Sequence, residues 1–333
     1  MQEELKRSCD QLIENYSRIR EGNRFEYDSL LTAGAALYLA KGVEVDAEGL
    51  ARCGKLLRQR KGVFSSFRGI AEFIVRCKMA LADDPEAYLE QLDAVYGGLK
   101  SIFSDQQTLL AAMVIVDLAE PARQAAAVEK TKSIYREMRS AHPWLTSQED
   151  MPFAALMAVT GKDGSALYEE AEKNYELLRQ NLLAGSESRQ MLSHILAICP
   201  GHAESKCDKL CSMDRGLRKA KHALSRDRSI SILGTLVGSP LSADALVPMI
   251  CEADDYLRQF KPFGGLFCVS RDVRRMMAVQ MVQASLGESA PAGVPDASAV
   301  SSVVSTSIEV AIIMLILTSA IIAGTSAASS SSR

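Results

Sequence analysis

The sequence predicts an all-α protein built as a solenoid-like stack of antiparallel helix pairs. Apolar residues recur at helical spacing along most of the chain, and no segment shows the alternating pattern of a β-strand. A helix-start motif returns about every 40 residues and defines about seven helix pairs, which is typical of tetratricopeptide and HEAT arrays. Apolar residues make up 47% of the chain and aromatic residues only 6%, a balance that favours helices over sheets.

The recurring motif has an apolar residue, then a Ser or Thr within three positions, and a second apolar residue six positions after the first. It is clearest at Phe64-Ser-Ser-Phe-Arg-Gly-Ile70, Leu145-Thr-Ser-Gln-Glu-Asp-Met151 and Phe267-Cys-Val-Ser-Arg-Asp-Val273. The hydroxyl can accept a hydrogen bond from a free N–H group at a helix start, and the leading apolar residue can pack on the first turn. The leading residues are, in chain order, Phe25, Phe64, Phe103, Leu145, Leu183, Leu224 and Phe267.

The predicted elements alternate between apolar and more charged helices. The helix Glu3–Arg20 comes first, stands alone, and is expected to cover one end of the stack. The predicted first helices of the pairs are Asp28–Lys41, Arg68–Ala82, Gln106–Ala119, Glu149–Thr160, Glu187–Ile198, Arg228–Val237 and Arg271–Ser285. The predicted second helices are Asp46–Arg60, Pro85–Lys100, Pro121–Arg139, Gly164–Gln180, Ala203–His222 and Leu241–Lys261. Second helices begin with acidic residues and end with basic residues, which complements the helix dipole and explains the basic clusters as helix ends.

The C-terminal part of the chain differs in composition. We expect a helical-repeat domain over residues 1–286, an Ala/Gly/Pro/Ser linker over 287–302, an apolar helix over 303–325 and a Ser-rich disordered tail over 326–333. The apolar run Val310–Gly324 is shorter than the roughly 20 residues that span a bilayer, so we interpret it as a helix packed on the last repeat. A membrane anchor remains the alternative.

Composition limits the functional class. The net charge of −3 disfavours the nucleic-acid backbone as a partner. Eight cysteines without framework spacing indicate reduced thiols, and the charged N-terminus lacks the apolar segment of a secretory signal. We therefore expect a cytoplasmic protein.

A Cys/His cluster is the candidate metal site. Cys207 and Cys211 are one helical turn apart, and Cys199 and His202 precede them at a turn. Four such ligands could hold a zinc ion, although the spacing matches no standard zinc template. Buried apolar packing of the cysteines is the favoured interpretation, and no other cofactor is indicated.

A second candidate is a polar edge for a partner. Arg68, Glu149, Asp150 and Arg271 occupy matching positions at the starts of first helices, and Trp144, the single tryptophan, lies just before one of these starts. In a solenoid such positions share one edge and could contact a partner. Helix capping and core packing explain the same residues.

No catalytic motif is present. The chain has no phosphate loop, metalloprotease helix or nucleophile elbow, which disfavours an enzyme but leaves one of unrecognised type open. The leading hypothesis is a non-catalytic scaffold that binds a protein or peptide, by analogy with other helical repeats. The alternatives are a metal-binding protein or enzyme centred on Cys199, His202, Cys207 and Cys211, and an adaptor tethered to a membrane by the C-terminal helix.

Three stretches resemble a known bacterial family. Gly62-Val-Phe-Ser-Ser-Phe-Arg-Gly69, His142-Pro-Trp-Leu-Thr-Ser-Gln-Glu-Asp150 and Leu192-Ser-His-Ile-Leu196 are similar to domain-of-unknown-function family 4003, and the likeness extends from Leu12 to Ser285. The resemblance implies a bacterial, all-helical protein and favours the packed interpretation of Val310–Gly324. It supplies no activity and no site residue, and the Cys199–Cys211 cluster is not part of it.

Overall fold

The computed structural model describes residues 1–63, 65–141, 146–159, 164–227, 229–265 and 268–288. Within these ranges the chain forms helices and no β-strand, so the predicted all-α class is confirmed. None of the described helices is both long and apolar enough to cross a membrane. The predicted C-terminal helix and tail lie outside the described residues.

The described ranges contain thirteen α-helices and two 3₁₀ helices. The α-helices are α1 (Glu3–Gly22), α2 (Asp28–Ala40), α3 (Ala47–Arg60), α4 (Ile70–Leu81), α5 (Pro85–Leu99), α6 (Gln106–Leu118), α7 (Pro121–Ala141), α8 (Met151–Val159), α9 (Gly164–Asn181), α10 (Ser186–Ile198), α11 (Ala203–Lys219), α12 (Ala243–Leu257) and α13 (Arg271–Glu288). The 3₁₀ helix Gln148–Asp150 leads into α8, and the second 3₁₀ helix is Ile230–Leu236.

The predicted α-helix Arg228–Val237 is instead the 3₁₀ helix Ile230–Leu236. Its sequence contains β-branched residues and Gly234, all of low helix propensity, and every residue in it is buried. A Cβ at Gly234 would lie 2.9 Å from Ile195 Cγ2 of α10. Low helix propensity and close packing in the core therefore both favour this element over the predicted α-helix.

The most apolar helices form an inner layer. Every residue from Leu30 to Leu39 of α2 and from Met151 to Ala158 of α8 is buried. A helix that is apolar on all sides must be covered on all sides. The more charged helices α1, α3, α5, α7, α9, α11 and α12 bury one face each and form an outer layer.

Among the outer helices, the one that precedes each inner helix packs on it most extensively, and the inner helices α6 and α8 also pack closely on each other. The pairs are α1–α2, α3–α4, α5–α6, α7–α8, α9–α10 and α12–α13, and the 3₁₀ helix Ile230–Leu236 takes the inner position after α11. The expected pairs joined each apolar helix to the one that follows it, so the pairing is shifted by one helix. The alternation of helix types predicted seven pairs but could not determine which neighbour is the partner.

The described helices close into a ring. Helix α1 packs on α2 and also on α12 and α13 near the end of the described chain. The N-terminal amine lies 3.2 Å from Glu252 Oε2, and Tyr256 hydrogen-bonds to Asp10. Helix α1 is therefore an ordinary outer helix in contact with both ends of the array, and not the cover of an open end.

Closure gives the molecule two rims. Short connections join antiparallel neighbours. The end of every outer helix and the start of the inner element that follows it therefore lie at the same rim, which we call the inner-start rim.

The described parts of the recurring motif lie at the inner-start rim. Asp105 caps α6 by accepting from Thr108 N at 2.8 Å, and Ser270 accepts from Val273 N in α13 at 3.2 Å. A hydroxyl of the motif thus caps α13, whereas the cap of α6 is the carboxylate of Asp105 and not a Ser or Thr. The helices α2, α4 and α10 have no side-chain cap at their starts.

Candidate functional site

A pocket of about 790 Å³ opens at the inner-start rim, between the ends of α11 and α12 and the start of α13. We call it the basic pocket, because five Lys or Arg side chains and only two Asp side chains line it. Its charged and titratable lining residues are Lys221, His222, Asp254, Asp255, Arg258, Arg271, Arg274 and Arg275.

Asp254 is the buried centre of the pocket floor. Arg274 Nε donates to Asp254 Oδ1 at 2.5 Å, Arg275 Nε donates to Oδ2 at 3.3 Å, and His222 Nδ1 lies 2.8 Å from Oδ2. Burial by itself favours the neutral acid, but the hydrogen bonds from Arg274 and His222 outweigh it and hold the pKa of Asp254 below its usual value. Asp254 is therefore an ionised anchor for two guanidinium groups.

The same two arginines tie the pocket walls together. Arg274 Nη1 donates to the Phe263 carbonyl at 3.1 Å, and Arg275 donates to the carbonyls of Lys221 and Ala223. Buried guanidinium groups require such partners, and these are occupied within the fold. Arg274 and Arg275 therefore shape the pocket, and Asp254 balances one of their two positive charges.

Three other cations in the pocket have no carboxylate partner among the residues that the structure describes. Lys221, Arg258 and Arg271 are exposed, and no described carboxylate lies within ion-pairing distance of any of them. Arg271 also begins α13, whose positive dipole end adds to the field at the pocket mouth. The site can therefore attract an anion.

A second pocket, of about 600 Å³, lies beside the basic pocket, and we call it the neighbouring pocket. The two pockets share Gly264 and Cys268 in the segment between α12 and α13. A Cβ at Gly264 would collide with the Arg258 carbonyl oxygen, so only glycine allows the chain to pass this close.

The wall of the neighbouring pocket contains a satisfied polar cluster. Tyr16 donates from its hydroxyl to Asp28 Oδ1 at 2.7 Å, and Arg20 pairs with Asp28 and donates to the Tyr16 hydroxyl at 2.6 Å. Burial, followed by the hydrogen bond to Asp28, raises the pKa of Tyr16. This cluster joins the end of α1 to the start of α2.

The predicted zinc ligands do not converge on one point. The thiol of Cys199 faces the Gly234 carbonyl at 3.7 Å, whereas Cys207 and Cys211 face the carbonyls of Asn174 and Asn181 at 3.9 and 3.7 Å. His202 is exposed at the start of α11. No group of three or more His, Cys, Asp or Glu residues in the described ranges could hold a metal ion. Cys207 and Cys211 lie on the buried face of α11, Cys199 is buried at the end of α10, and burial raises the pKa of Cys207 to about 12.

The residues of the predicted partner edge have different environments. Arg68 is partly buried and donates to Glu72 Oε2 at 2.7 Å, and Asp150 is only 6% exposed. Glu149 is exposed at the start of α8, while Arg271 lines the basic pocket. Trp144 lies outside the described residues. The described members share the inner-start rim but do not form one exposed row.

Asp150 and His194 form a buried acid–imidazole pair. Asp150 Oδ2 accepts from Ser147 N at 2.8 Å, Oδ1 accepts from Gln190 Nε2 at 3.1 Å, and His194 Nδ1 lies 3.6 Å from Oδ1. Burial raises the pKa of Asp150 to about 7 and lowers that of His194 to about 4. The cavity beside His194 holds about 30 Å³, far below the size of a ligand pocket, so the pair is a structural feature of the core.

Sequence reasoning missed most of the basic pocket. Local sequence explains Lys221 and Arg258 as the basic ends of outer helices, and only Arg271 is predicted as a candidate residue. The available signal was the clustering of basic ends in the last two pairs, from Arg215 to Lys221 and from Arg258 to Lys261. Its significance depends on the packing of α11 on α12 and of α12 on α13, which brings these ends beside the start of α13.

Comparisons with known proteins give a family and no activity. The chain matches the family described as "Protein of unknown function (DUF4003)" over residues 15–316. It is 24% identical over 180 residues to "Uncharacterized protein YeaA" of Bacillus subtilis (strain 168), with 53% of this chain and 54% of the relative covered. The chain thus spans about half the length of the curated relative it matches. No solved structure is detectably similar to it. Because the match covers most of the chain, this protein belongs to the DUF4003 family.

Proposed function

We propose that this protein is a non-catalytic binding protein, and that its ligand is an anion held in the basic pocket. The observation that carries the proposal is the set of three exposed cations, Lys221, Arg258 and Arg271, that line one pocket without a described carboxylate partner. The pocket volume of about 790 Å³ lies in the range of ordinary small-molecule sites.

Electrostatics favour an anionic ligand at this position. Like charges that line one cleft repel each other and create a positive potential there, and an anion relieves the repulsion. Guanidinium groups match the planar or tetrahedral oxygens of carboxylates and phosphates, and a helix start offers N–H groups to the same ligand. Arg258, Arg271 and the first turn of α13 supply these features together.

The rigid floor of the pocket supports a binding role. Asp254 is saturated by three donors, and Arg274 and Arg275 are fixed by backbone carbonyls. A floor of this kind holds the exposed cations in place before the ligand arrives, which reduces the entropic cost of binding. The exposed side chains then provide the contacts to the ligand.

Isothermal titration with inorganic phosphate, sulfate and citrate tests the proposal. We expect measurable binding that Arg271→Gln and Arg258→Gln each weaken about tenfold, since each removes a charged hydrogen-bond donor. Lys100→Gln is the matched control, because it removes one positive charge at the inner-start rim outside the pocket. Absence of binding by all three anions at millimolar concentration, or equal weakening by Lys100→Gln, would contradict the proposal.

A polypeptide partner is a second candidate function, and one observation favours it. Phe25 is 105% exposed and Tyr27 is 52% exposed in the connection between α1 and α2 at the inner-start rim. Adjacent exposed aromatic side chains are typical anchors of protein interfaces. Such a partner would bind at the inner-start rim, where Phe25 and Tyr27 lie. It would not need the concave surface of an open stack.

The Phe25–Tyr27 surface can be tested by cross-linking in lysate of the native cells. We expect a polypeptide cross-linked to the wild-type protein to be lost from the Phe25→Ser, Tyr27→Ser double variant. Val43→Ser, which alters an exposed apolar residue in the connection at the opposite rim, is the control and should retain it. Retention of the same polypeptide by all three proteins would exclude this surface.

A further inference from the structure

The basic pocket and the neighbouring pocket adjoin each other. Both are lined by Gly264 and Cys268, which lie between α12 and α13. The end of α1 forms the far wall of the neighbouring pocket and the end of α11 forms the far wall of the basic pocket. A ligand longer than a single anion can therefore reach both.

The neighbouring pocket has its own available positive charge. Arg20 is balanced by Asp28, but Arg24 and Lys261 line the pocket without an ion pair to any residue in the described ranges. Glu21 also lines it, so its excess of positive charge is smaller than that of the basic pocket. The two pockets thus offer a strong anion position and a weaker one, and both are lined by Gly264.

The charge of the basic pocket distinguishes between classes of anion. Lys221, Arg258 and Arg271 exceed the single charge of a carboxylate, whereas a phosphate group carries about −1.5 to −2 at neutral pH. Phosphate oxygens also suit the guanidinium fork and a helix start. A phosphate in the basic pocket therefore balances the site better than a carboxylate.

We infer that the ligand is a phosphorylated compound with at least two anionic phosphate groups, one bound in each pocket. The inference rests on the proposed function and names the ligand class for the same site. Arg258 and Arg271 bind the first group, Arg24 and Lys261 bind the second, and the linking part of the ligand passes over Gly264.

Linear phosphates of increasing length test this inference directly. Binding of orthophosphate, pyrophosphate, tripolyphosphate and longer chains would be measured by isothermal titration at fixed ionic strength. We expect the affinity to rise by about tenfold or more once the chain is long enough to reach both pockets, because the second group then binds at a high effective concentration.

Four single-charge variants separate the two positions. Arg24→Gln and Lys261→Gln should each remove the gain with chain length. Arg271→Gln should weaken every member of the series, and Lys100→Gln should alter none. Thermal unfolding of each variant would confirm that the fold is retained. A loss of the affinity gain can then be attributed to the lost contact with the ligand.

The outcomes distinguish this inference from the proposed function. If chain length gives no gain, or if the gain survives in both Arg24→Gln and Lys261→Gln, the two-group ligand is excluded. Orthophosphate binding that is still sensitive to Arg271→Gln would then leave the proposed function intact. If no phosphate of any length binds, both fail.

Discussion

Tyr256 of α12 donates a hydrogen bond to Asp10 of α1, with 2.5 Å between the hydroxyl and Oδ1. This bond joins the first helix to the twelfth and so fastens the ring. The hydrogen bond to Asp10 is the main reason that the pKa of Tyr256 rises to about 12. Tyr16 and Phe263, with ring centroids 6.0 Å apart, add an aromatic contact across the same closure.

Loss of the Tyr256 hydroxyl should weaken the closure. We expect Tyr256→Phe to lower the free energy of unfolding by about 1 kcal/mol, the usual contribution of a partly exposed hydrogen bond. Urea unfolding followed by circular dichroism measures the change. Tyr27→Phe, whose hydroxyl is on an exposed side chain, should alter stability by less than about 0.5 kcal/mol. Equal stability of wild type and Tyr256→Phe would show that this bond does not hold the ring.

Ring closure could not be predicted from the sequence, whereas the helices could. Hydrophobic periodicity and capping residues are local signals, and most helix boundaries follow from them within a few residues. Contact between α1 and α12 depends instead on the rotation accumulated from pair to pair, which no local pattern records. The sequence also does not predict whether an apolar helix pairs with the helix before it or after it. Helix α2, for example, is apolar on all sides and offers no preferred face to α1 or α3.

The buried carboxylate of Asp254 should be essential for stability. Asp254→Asn leaves the Arg274 and Arg275 guanidinium groups without their counter-charge, and breaking a buried ion pair in this way costs about 3–5 kcal/mol. Its neighbour Asp255 provides a matched control, because its side chain is 62% exposed and Asp255→Asn should cost less than about 0.5 kcal/mol. Chemical unfolding compares the two, and similar small losses would show that Asp254 is not the anchor of the pocket floor.

Asp254 also predicts a direction of acid sensitivity. Its pKa is lower in the folded protein than in the unfolded chain, where an Asp titrates near about 3.9. The ionised group therefore stabilises the fold above that value, and the contribution is lost as the pH falls through the folded pKa. The stability difference between wild type and Asp254→Asn should shrink below about pH 4. A difference that stays constant down to about pH 2 would contradict this linkage.

The Asp150–His194 pair predicts two opposing pH dependences. The pKa of Asp150 is raised to about 7, so its ionisation reduces stability as the pH rises from about 4 to about 7. The pKa of His194 is lowered to about 4, so its protonation reduces stability as the pH falls from about 6.5 to about 4. The two effects oppose each other over the same interval, and the wild-type protein should show a weak net dependence there.

Single substitutions should reveal each dependence. In Asp150→Asn only the His194 effect remains, so stability should rise with pH between about 4 and 6.5, by at most about 1.4 kcal/mol per pH unit. In His194→Gln only the Asp150 effect remains, so stability should fall with pH over the same range. Urea unfolding at several pH values gives both slopes. Slopes of the same sign in the two variants would show that the buried pair does not titrate in this way.

The candidate site was predictable only in fragments. Arg271 could be singled out because it sits at a helix start, whereas Lys221 and Arg258 at helix ends have an equally good local explanation as dipole partners. For Asp150 the sequence predicts a site residue at an exposed position, and the structure shows a buried one. Its position predicts an exposed edge, but its carboxylate turns inward to accept from Ser147 N and Gln190. Sequence position gives the rim on which a residue lies, and packing decides whether its side chain faces solvent.

Two adjacent glycines of α5 test the packing of the outer layer. A Cβ at Gly97 would enter open space, whereas a Cβ at Gly98 would lie 2.9 Å from Val128 Cγ1 of α7. Gly97→Ala should therefore stabilise the protein by about 0.5 kcal/mol, because alanine reduces the freedom of the unfolded chain. Gly98→Ala gains the same contribution but must displace a β-branched side chain with few rotamers, and overpacking of this kind costs about 1–3 kcal/mol. Urea unfolding should thus show opposite signs for the two substitutions. Stabilisation by both would mean that α5 and α7 are separated more widely at Val128 than in this structure.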